Sequence, residues 1–293
     1  MLDNITKYFK LVRFAHTVFC LPFALCGFFL ATRASIIGYQ DCGFSWLLFV
    51  QVLLCMVFAR NTAMGFNRWL DRDVDALNPR TKNREIPAGK ISSAAAMVFV
   101  VLNALAFIAT TYFINHMVLC LSPVAIFVVM FYSYCKRFTS LCHFVLGCGM
   151  ALAPLGAYLA VTAHWDLVPV LYFFLVLTWG GGFDIIYSLQ DQGFDTDAKL
   201  HSIPQALGIS GALRLSAIVH VITAVLVILI GYLQHAGTLY AIGSCFFIML
   251  LYRQHSIVKP DDLSRVNVAF ATFNGIASIL FSLFDILDIC LSD

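Results

Sequence analysis

Charge is what this chain has least of. Of its 293 residues only 12% are Asp, Glu, Lys or Arg, while 61% are hydrophobic and the mean hydropathy is +0.87. A soluble domain carries about 25% charged residues. This chain cannot cover a water-facing surface, and a polytopic membrane protein is the class that fits. Paired cysteines are also missing. The ten cysteines form no C-x-x-C pair. Most, such as Cys20, Cys26, Cys55, Cys120, Cys148 and Cys245, lie inside apolar runs. They read as small buried hydrophobes, which excludes a disulfide framework or a zinc site. The eight histidines include no H-E-x-x-H. No low-complexity linker or soluble domain is visible, so residues 1–293 read as one integral-membrane domain. No nucleic-acid partner is expected. Lys7, Lys10 and Arg13 precede an apolar run, as in a signal peptide. That run is too long and lacks a small-residue cleavage site, so it reads as a retained first helix.

What the chain does have is long apolar segments. Nine can be marked: Leu11–Ala31, Ser45–Phe66, Ser93–Phe113, Met117–Tyr134, Ser140–Val161, Leu167–Tyr187, Gly211–Leu233, Thr238–Tyr252 and Val268–Leu291. Most approach the ~20 residues that span a hydrocarbon core, the fourth and eighth being short. The expected fold is all-α, with about nine transmembrane helices. Lys and Arg gather in the N-terminus and the even-to-odd loops, while the opposite loops hold essentially Arg33. The positive-inside rule then places the N-terminus in the cytoplasm and the C-terminus outside.

Two acidic clusters repeat each other at the ends of the second and sixth segments. The first reads Asn67-Arg-Trp-Leu-Asp71-Arg-Asp-Val-Asp75. The second reads Tyr187-Ser-Leu-Gln-Asp191-Gln-Gly-Phe-Asp195, with Asp184 one turn earlier. Spacing of i, i+4, i+8 puts each set on one helix face for as long as the helix continues, and Gly193 is a point where it could end early. Similar words follow each cluster: Ile86-Pro87-Ala-Gly89-Lys-Ile-Ser92 and Ile203-Pro204-Gln-Ala-Leu-Gly208-Ile-Ser210. The motifs lie four helices apart, so the repeat is parallel and reads as an internal duplication.

Like charges one turn apart repel, and a carboxylate at mid-bilayer costs ~2.5–3.5 kcal/mol on insertion scales. Several together need cations. Hard oxygen ligands without His or Cys favour Mg²⁺, which keeps waters and takes one or two carboxylates plus phosphate oxygens. Two facing clusters could each hold one ion and bridge a pyrophosphate. Arg68, Arg72, Arg80, Arg84, Lys136, Arg137 and Lys199 crowd the same face. The positive-inside rule alone explains most of them. Arg60 differs, because it lies within the second segment, seven residues before Asn67. It is open between partnering the acids and holding a ligand, as is Arg13 at the entry to helix one. Tyr132, Tyr134, Phe183 and Tyr187 sit close enough to the clusters to stabilise a carbocation through their ring faces, or simply to pack. Asp285 and Asp288, near the far end of the last segment, read as interfacial.

These residues resemble the UbiA superfamily of intramembrane aromatic prenyltransferases. Asn67, Asp71 and Asp75 look like its N-x-x-x-D-x-x-x-D motif. Asp184, Tyr187, Asp191 and Asp195 look like its D-x-x-Y-x-x-x-D-x-x-x-D motif. Arg80-Thr81-Lys-Asn-Arg84-Glu-Ile-Pro87-Ala-Gly89 is similar to its R-T-x-x-R segment. Lys136-Arg137-Phe-Thr139 resembles its K-R-x-T ending of helix four, and Arg13-Phe-Ala-His16-Thr17 its first helix. Arg68 stands where many members have Asp, and Glu85-Ile86 replaces a commoner proline-leucine. The variant looks most like the 4-hydroxybenzoate polyprenyltransferase branch. The resemblance implies Mg²⁺ held by Asn67, Asp71 and Asp75 and by Asp184, Asp191 and Asp195, with Asp71, Asp75, Asp191 and Asp195 catalytic. It implies a polyprenyl diphosphate bound by Arg13, Arg72, Lys136, Arg137 and Lys199, and an allylic cation near Tyr132 and Tyr187. The second substrate would be an aromatic acid of the 4-hydroxybenzoate type. A naphthoate or a futalosine-derived carboxynaphthol, for menaquinone, is the alternative acceptor, and the choice between a ubiquinone and a menaquinone pathway stays open. A porphyrin acceptor fits less, since Ala76-Leu77-Asn78 follows Asp75 where haem-directed relatives carry Met. The bilayer of a bacterial-type inner membrane is the expected setting, with the site on the cytoplasmic face. A cation-coupled transporter is the reading from another class. Transporters place ionisable groups near the midplane, often in inverted repeats, whereas here the acids sit at one face and the repeat is parallel.

Overall fold

The structure is a computed structural model that describes residues 7–8, 11–12, 19–34 and 44–291. Nine long helices can be followed among them: α1 Leu21–Ala34, α2 Trp46–Leu70, α3 Ser93–Tyr112, α4 His116–Cys135, α5 Cys142–Thr162, α6 Leu167–Ser188, α7 Ile203–Leu233, α8 Thr238–Ile257 and α9 Asn274–Leu291. No strand is present among the described residues, apart from an isolated bridge between Lys259 and Asp262. The starts follow local chemistry. Ser45, Ser92, Asn115 and Ser202 each accept a backbone N–H of the first turn with a side-chain oxygen. Such caps satisfy donors that a helix otherwise leaves unpaired.

Among the described residues, seven helical segments are long and apolar enough to cross a membrane. The described part of α1 is shorter, and α8 is not among the seven. α8 ends in Arg253-Gln-His255, which lowers its mean hydropathy. The expectation of nine crossings therefore stands on length and composition for seven. The first segment was expected to begin at Leu11, but residues 13–18 lie outside the described residues.

The densest packing lies in the second half of the chain. Phe23 from α1, Trp179 and Phe183 from α6, Phe247 from α8 and Phe281 from α9 are all buried. They form one aromatic core, with Phe23 and Trp179 centroids 5.1 Å apart. A chain of amides runs through it. Trp179 Nε1 donates to Asn274 Oδ1 at 2.9 Å, Asn274 Nδ2 to Gln254 Oε1 at 3.2 Å, and Gln254 contacts His220 at 3.2 Å. α5 and α6 approach closely because Gly147 is bare: a Cβ there would lie 2.3 Å from the Leu177 carbonyl oxygen.

Two departures from sequence expectation concern α9. Its apolar run begins as a π-helix, Val268–Phe273, before turning α-helical at Asn274. Asp285 and Asp288, expected at the interface, are buried. Asp285 accepts from the Tyr172 hydroxyl at 2.7 Å, and Asp288 accepts from the Gly237 and Tyr240 amides at 2.7 and 3.2 Å. Both acids staple helix ends together inside the bundle.

Candidate functional site

Both acidic motifs sit where a helix breaks. α2 stops at Leu70, Asp71 takes φ −90° and ψ 5°, and a short helix Arg72–Leu77 follows. α6 stops at Ser188, a 3₁₀ turn covers Leu189–Asp191, Asp191 takes φ −102° and ψ 0°, and a short helix Gln192–Asp197 follows. The two equivalent aspartates thus share a sparsely populated backbone region. This corrects the expected continuous helical face, because the second helix breaks at Asp191 and not at Gly193. The duplication extends beyond the acids. Gly89 and Gly208, in the two Ile-Pro words, have φ of +68° and +69°. Glycine adopts that left-handed region without the steric cost a side chain brings.

A single cavity of about 710 Å³ joins the two motifs. Asn67, Asp71, Asp75, Asp184, Tyr187, Asp191 and Asp195 all line it. Away from them the lining is mostly apolar and follows α2 back to Val52. At ~1.5 Å per residue that is roughly 22 Å of helix above Asn67. Arg60 and Tyr132 line it between these ends.

Four of the five carboxylates facing the cavity have a Lys or Arg beside them, and the fifth, Asp184, has a histidine. Arg84 holds Asp75 at 2.6 Å, Arg137 holds Asp71 at 3.1 Å, and Lys136 holds Asp195 at 2.7 Å. Arg80 reaches across from the first motif's loop to Asp191 at 2.5 Å. Asn67 donates to Asp71 Oδ2 at 3.0 Å. His143 Nδ1 faces Asp184 at 2.7 Å, while its Nε2 accepts the Ile203 amide at 3.3 Å. That second contact fixes Nδ1 as the nitrogen carrying the proton toward Asp184. Loops from both halves of the chain meet here: the His201 amide donates to the Lys136 carbonyl at 2.7 Å, and Arg137 donates to the Leu70 carbonyl at 3.1 Å.

The charges perturb one another. Burial raises the Asp71 carboxyl above its usual range, and Asp75 adds to the effect while Arg137 opposes it. Burial pulls Lys136 down, but the Asp195 carboxylate outweighs it and holds the ammonium above the ordinary lysine range. The site therefore keeps both signs of charge in a partly enclosed space, where their interactions are less screened than in bulk water.

The donor set fits Mg²⁺. Six motif residues supply hard oxygens around one cavity, and this ion needs only one or two carboxylates when waters and phosphate oxygens complete its shell. An all-protein cage is a different arrangement. Among the described residues no group of three or more His, Cys, Asp or Glu forms one.

The remaining expected residues divide. Lys136, Arg137 and Tyr132 line the cavity. Arg72 and Lys199 do not. Arg72 folds back to donate to the Trp69 carbonyl at 2.8 Å and lies over the Trp69 ring. Lys199 is exposed, with φ +52° in the turn after the short helix. Tyr134 also turns away, under the Arg137 guanidinium. Arg13 lies outside the described residues. Four contributors were not on the expected list: Asn78, Arg80, Arg84 and His143. The arginines were visible as part of the R-T-x-x-R segment, but nothing in their spacing names their partners. No spacing rule flags His143, forty-one residues before Asp184.

Residues 20–277 match the sequence model of the UbiA prenyltransferase family. The chain is 33% identical over 132 residues to a protoheme IX farnesyltransferase of Granulibacter bethesdensis, a match covering 43% of this chain and 41% of that protein. It is 27% identical over 241 residues to a 4-hydroxybenzoate octaprenyltransferase of Aliivibrio fischeri, covering 80% of this chain and 82% of that one. In fold it is similar to the apo structure of a UbiA homolog from Aeropyrum pernix K1. That likeness has a TM-score of 0.83 and 28% identity over 93% of this chain and 98% of that one.

The pairing geometry makes one energetic expectation. Asp75 and Arg84 are both largely withdrawn from solvent, at 7% and 18% side-chain exposure. Removing one partner of a buried pair costs about 3–5 kcal/mol. Arg84→Gln should lower the melting temperature of the purified protein clearly, and adding Asp75→Asn should restore part of it. Equal melting of Arg84→Gln and the parent would show that the pair carries no such weight.

Proposed function

Because the chain belongs to the UbiA prenyltransferase family, we propose that it transfers a polyprenyl group from a polyprenyl diphosphate to the ring of an aromatic acid, in a reaction that needs Mg²⁺. The observation that carries this reading is the cavity itself. Duplicated acids and several cations stand at one end, and an apolar bore leads into the bundle from them. A diphosphate with a long hydrocarbon tail has the same division of polarity.

Asn67, Asp71 and Asp75, with Asp184, Asp191 and Asp195, would hold the metal. Mg²⁺ bound there would supply neutralising charge to the diphosphate oxygens as the allylic C–O bond breaks. Lys136 and Arg137 add donors to the same oxygens, and fixed cations at a developing charge act most strongly in the transition state. His143 orients Asp184, because its ring is itself held at both nitrogens. Tyr187 and Tyr132 present ring faces to the allylic cation. Pyrophosphate leaves with the electron pair of the C–O bond, a ring carbon bonds the allylic cation, and the proton on that carbon passes to the released pyrophosphate or to water. The apolar residues along α2 receive the tail and keep water from the cation.

An acidic acceptor needs a cation beyond the carboxylates. Arg60 lines the cavity about two turns deeper than Asn67, on the apolar side of the metal residues. A carboxylate carried into that space gains a charge-assisted contact there and would otherwise be buried alone. This arrangement supports an acidic aromatic acceptor, with 4-hydroxybenzoate as the first choice and a naphthoate or carboxynaphthol as the alternatives. The site lies on the cytoplasmic face, where the cationic loops belong.

Membranes containing the chain, given a labelled prenyl diphosphate, Mg²⁺ and a panel of hydroxybenzoates, hydroxynaphthoates and haem, should yield a ring-prenylated aromatic acid by mass. Asp71→Asn and Asp191→Asn should each abolish that product and still insert. Full activity in either variant would refute the two-motif metal assignment, and prenylation of haem alone would replace the acceptor. Arg60→Gln should raise KM for the aromatic acid roughly 10- to 100-fold, the range of one charged hydrogen bond. KM for the prenyl diphosphate should stay within about twofold, since the substitution leaves the contacts at that end in place. An unmoved acceptor KM removes Arg60 from the acceptor site.

A further inference from the structure

Arg80 belongs to the loop behind the first motif, yet its guanidinium is spent on the second. Nε donates to Asp191 Oδ1 at 2.9 Å and Nη2 to Asp191 Oδ2 at 2.5 Å. Nη1 donates to the Tyr187 hydroxyl at 2.9 Å, and the guanidinium carbon lies 5.3 Å from the centre of the Tyr187 ring. Phe270, from the π-helical turn, stacks on the same ring at 4.1 Å. One cation therefore sits on a carboxylate assigned to the metal and on a ring assigned to the allylic cation. Both of those partners are wanted by other cations during the reaction. A fork that engages both carboxylate oxygens and a divalent ion at the same group repel each other.

The other pairs are built differently. Arg137 is tied down by the carbonyls of Ser133 and Leu70 at 3.2 and 3.1 Å. Arg84 lies closer in, at 18% side-chain exposure against 31% for Arg80. Arg80 sits in a turn, not a helix, so its side chain can move without breaking regular structure. Asn78 supports the handover. Its Oδ1 accepts the Arg80 amide at 2.9 Å, and its Nδ2 donates to Asp191 Oδ1 at 3.4 Å. With Arg80 gone, Asn78 still orients Asp191.

We infer that Arg80 is a displaceable counter-ion, which holds Asp191 and Tyr187 until a diphosphate draws it onto its own oxygens and leaves the carboxylate and the ring to the incoming cations. The inference rests on the prenyl-diphosphate reading above. It makes metal and diphosphate bind cooperatively, since the diphosphate removes the metal's competitor.

The test is a titration of the purified full-length chain in lipid nanodiscs with Mn²⁺, read by loss of the free-ion electron paramagnetic resonance signal, with and without inorganic pyrophosphate. Arg80→Gln should bind Mn²⁺ alone roughly five- to tenfold more tightly than the parent, the scale of one charge-assisted contact removed. Pyrophosphate should then tighten Mn²⁺ binding less than it does in the parent, by a similar factor. Arg80→Lys keeps the charge but cannot span two oxygens and the ring, so it should fall between the two. It is also the arm that decides the matter if the Gln variant does not fold. Mn²⁺ affinity equal to the parent's in both variants, with undiminished help from pyrophosphate, overturns the inference and leaves the diphosphate site standing. Absence of Mn²⁺ binding in the parent, even with pyrophosphate, overturns both.

Discussion

The structure depends on one constraint: carboxylates withdrawn from water at the end of a membrane bundle must each be matched by a cation or a fixed N–H donor. Asp75 and Asp195 are almost fully buried. Charges so placed cost several kcal/mol each unless paired. The chain meets the cost with residues from three places along its length. Arg80 and Arg84 come from the loop after α2, Lys136 and Arg137 from the end of α4, and His143 from the start of α5. The pairs hold the loops over the cavity, and the loops in turn keep the acids aimed into it. Local order at the site is thus set by electrostatics across the bundle more than by helix propensity.

The same pairs explain why the motifs break their helices. A continuous α-helix would carry Asp71 and Asp75, or Asp191 and Asp195, in file along one face. The turn at Asp71 and at Asp191 re-aims the residues that follow, so that Asp75 reaches Arg84 and Asp195 reaches Lys136. That the two breaks share one backbone conformation is physical support for a duplication first seen as matching letters. The positive-φ glycines Gly89 and Gly208 extend it into the words that follow.

Much of this was legible in the sequence. Long apolar runs and the i, i+4, i+8 acids pointed to the helices and to two facing acidic sites. What periodicity could not give was partnership. Arg80 and Asp191 are separated by 111 positions, and choosing among the many cations of one face requires the fold. Arg72 and Lys199 were expected at the diphosphate, but the Arg72 side chain folds back onto Trp69 and Lys199 sits exposed in a left-handed turn. Asp285 and Asp288 were misplaced for the converse reason. A helix end looks interfacial in a sequence, yet here neighbouring helix starts and Tyr172 supply the donors that let an acid be buried.

The two halves of the chain then divide the work. α6 lies in the dense aromatic core and carries the second motif on a helix locked by Trp179 and Asn274. α2 and α3 bury few residues within the bundle and leave the apolar bore beside them. A rigid second half can fix carboxylates to the tolerance that charge stabilisation demands. The apolar bore beside α2 carries no such demand. The polar face needs one geometry and the apolar bore tolerates many. Duplicating the acidic motif on helices of such different packing gives one copy each environment, and the counter-ion that crosses between them, Arg80, couples the two.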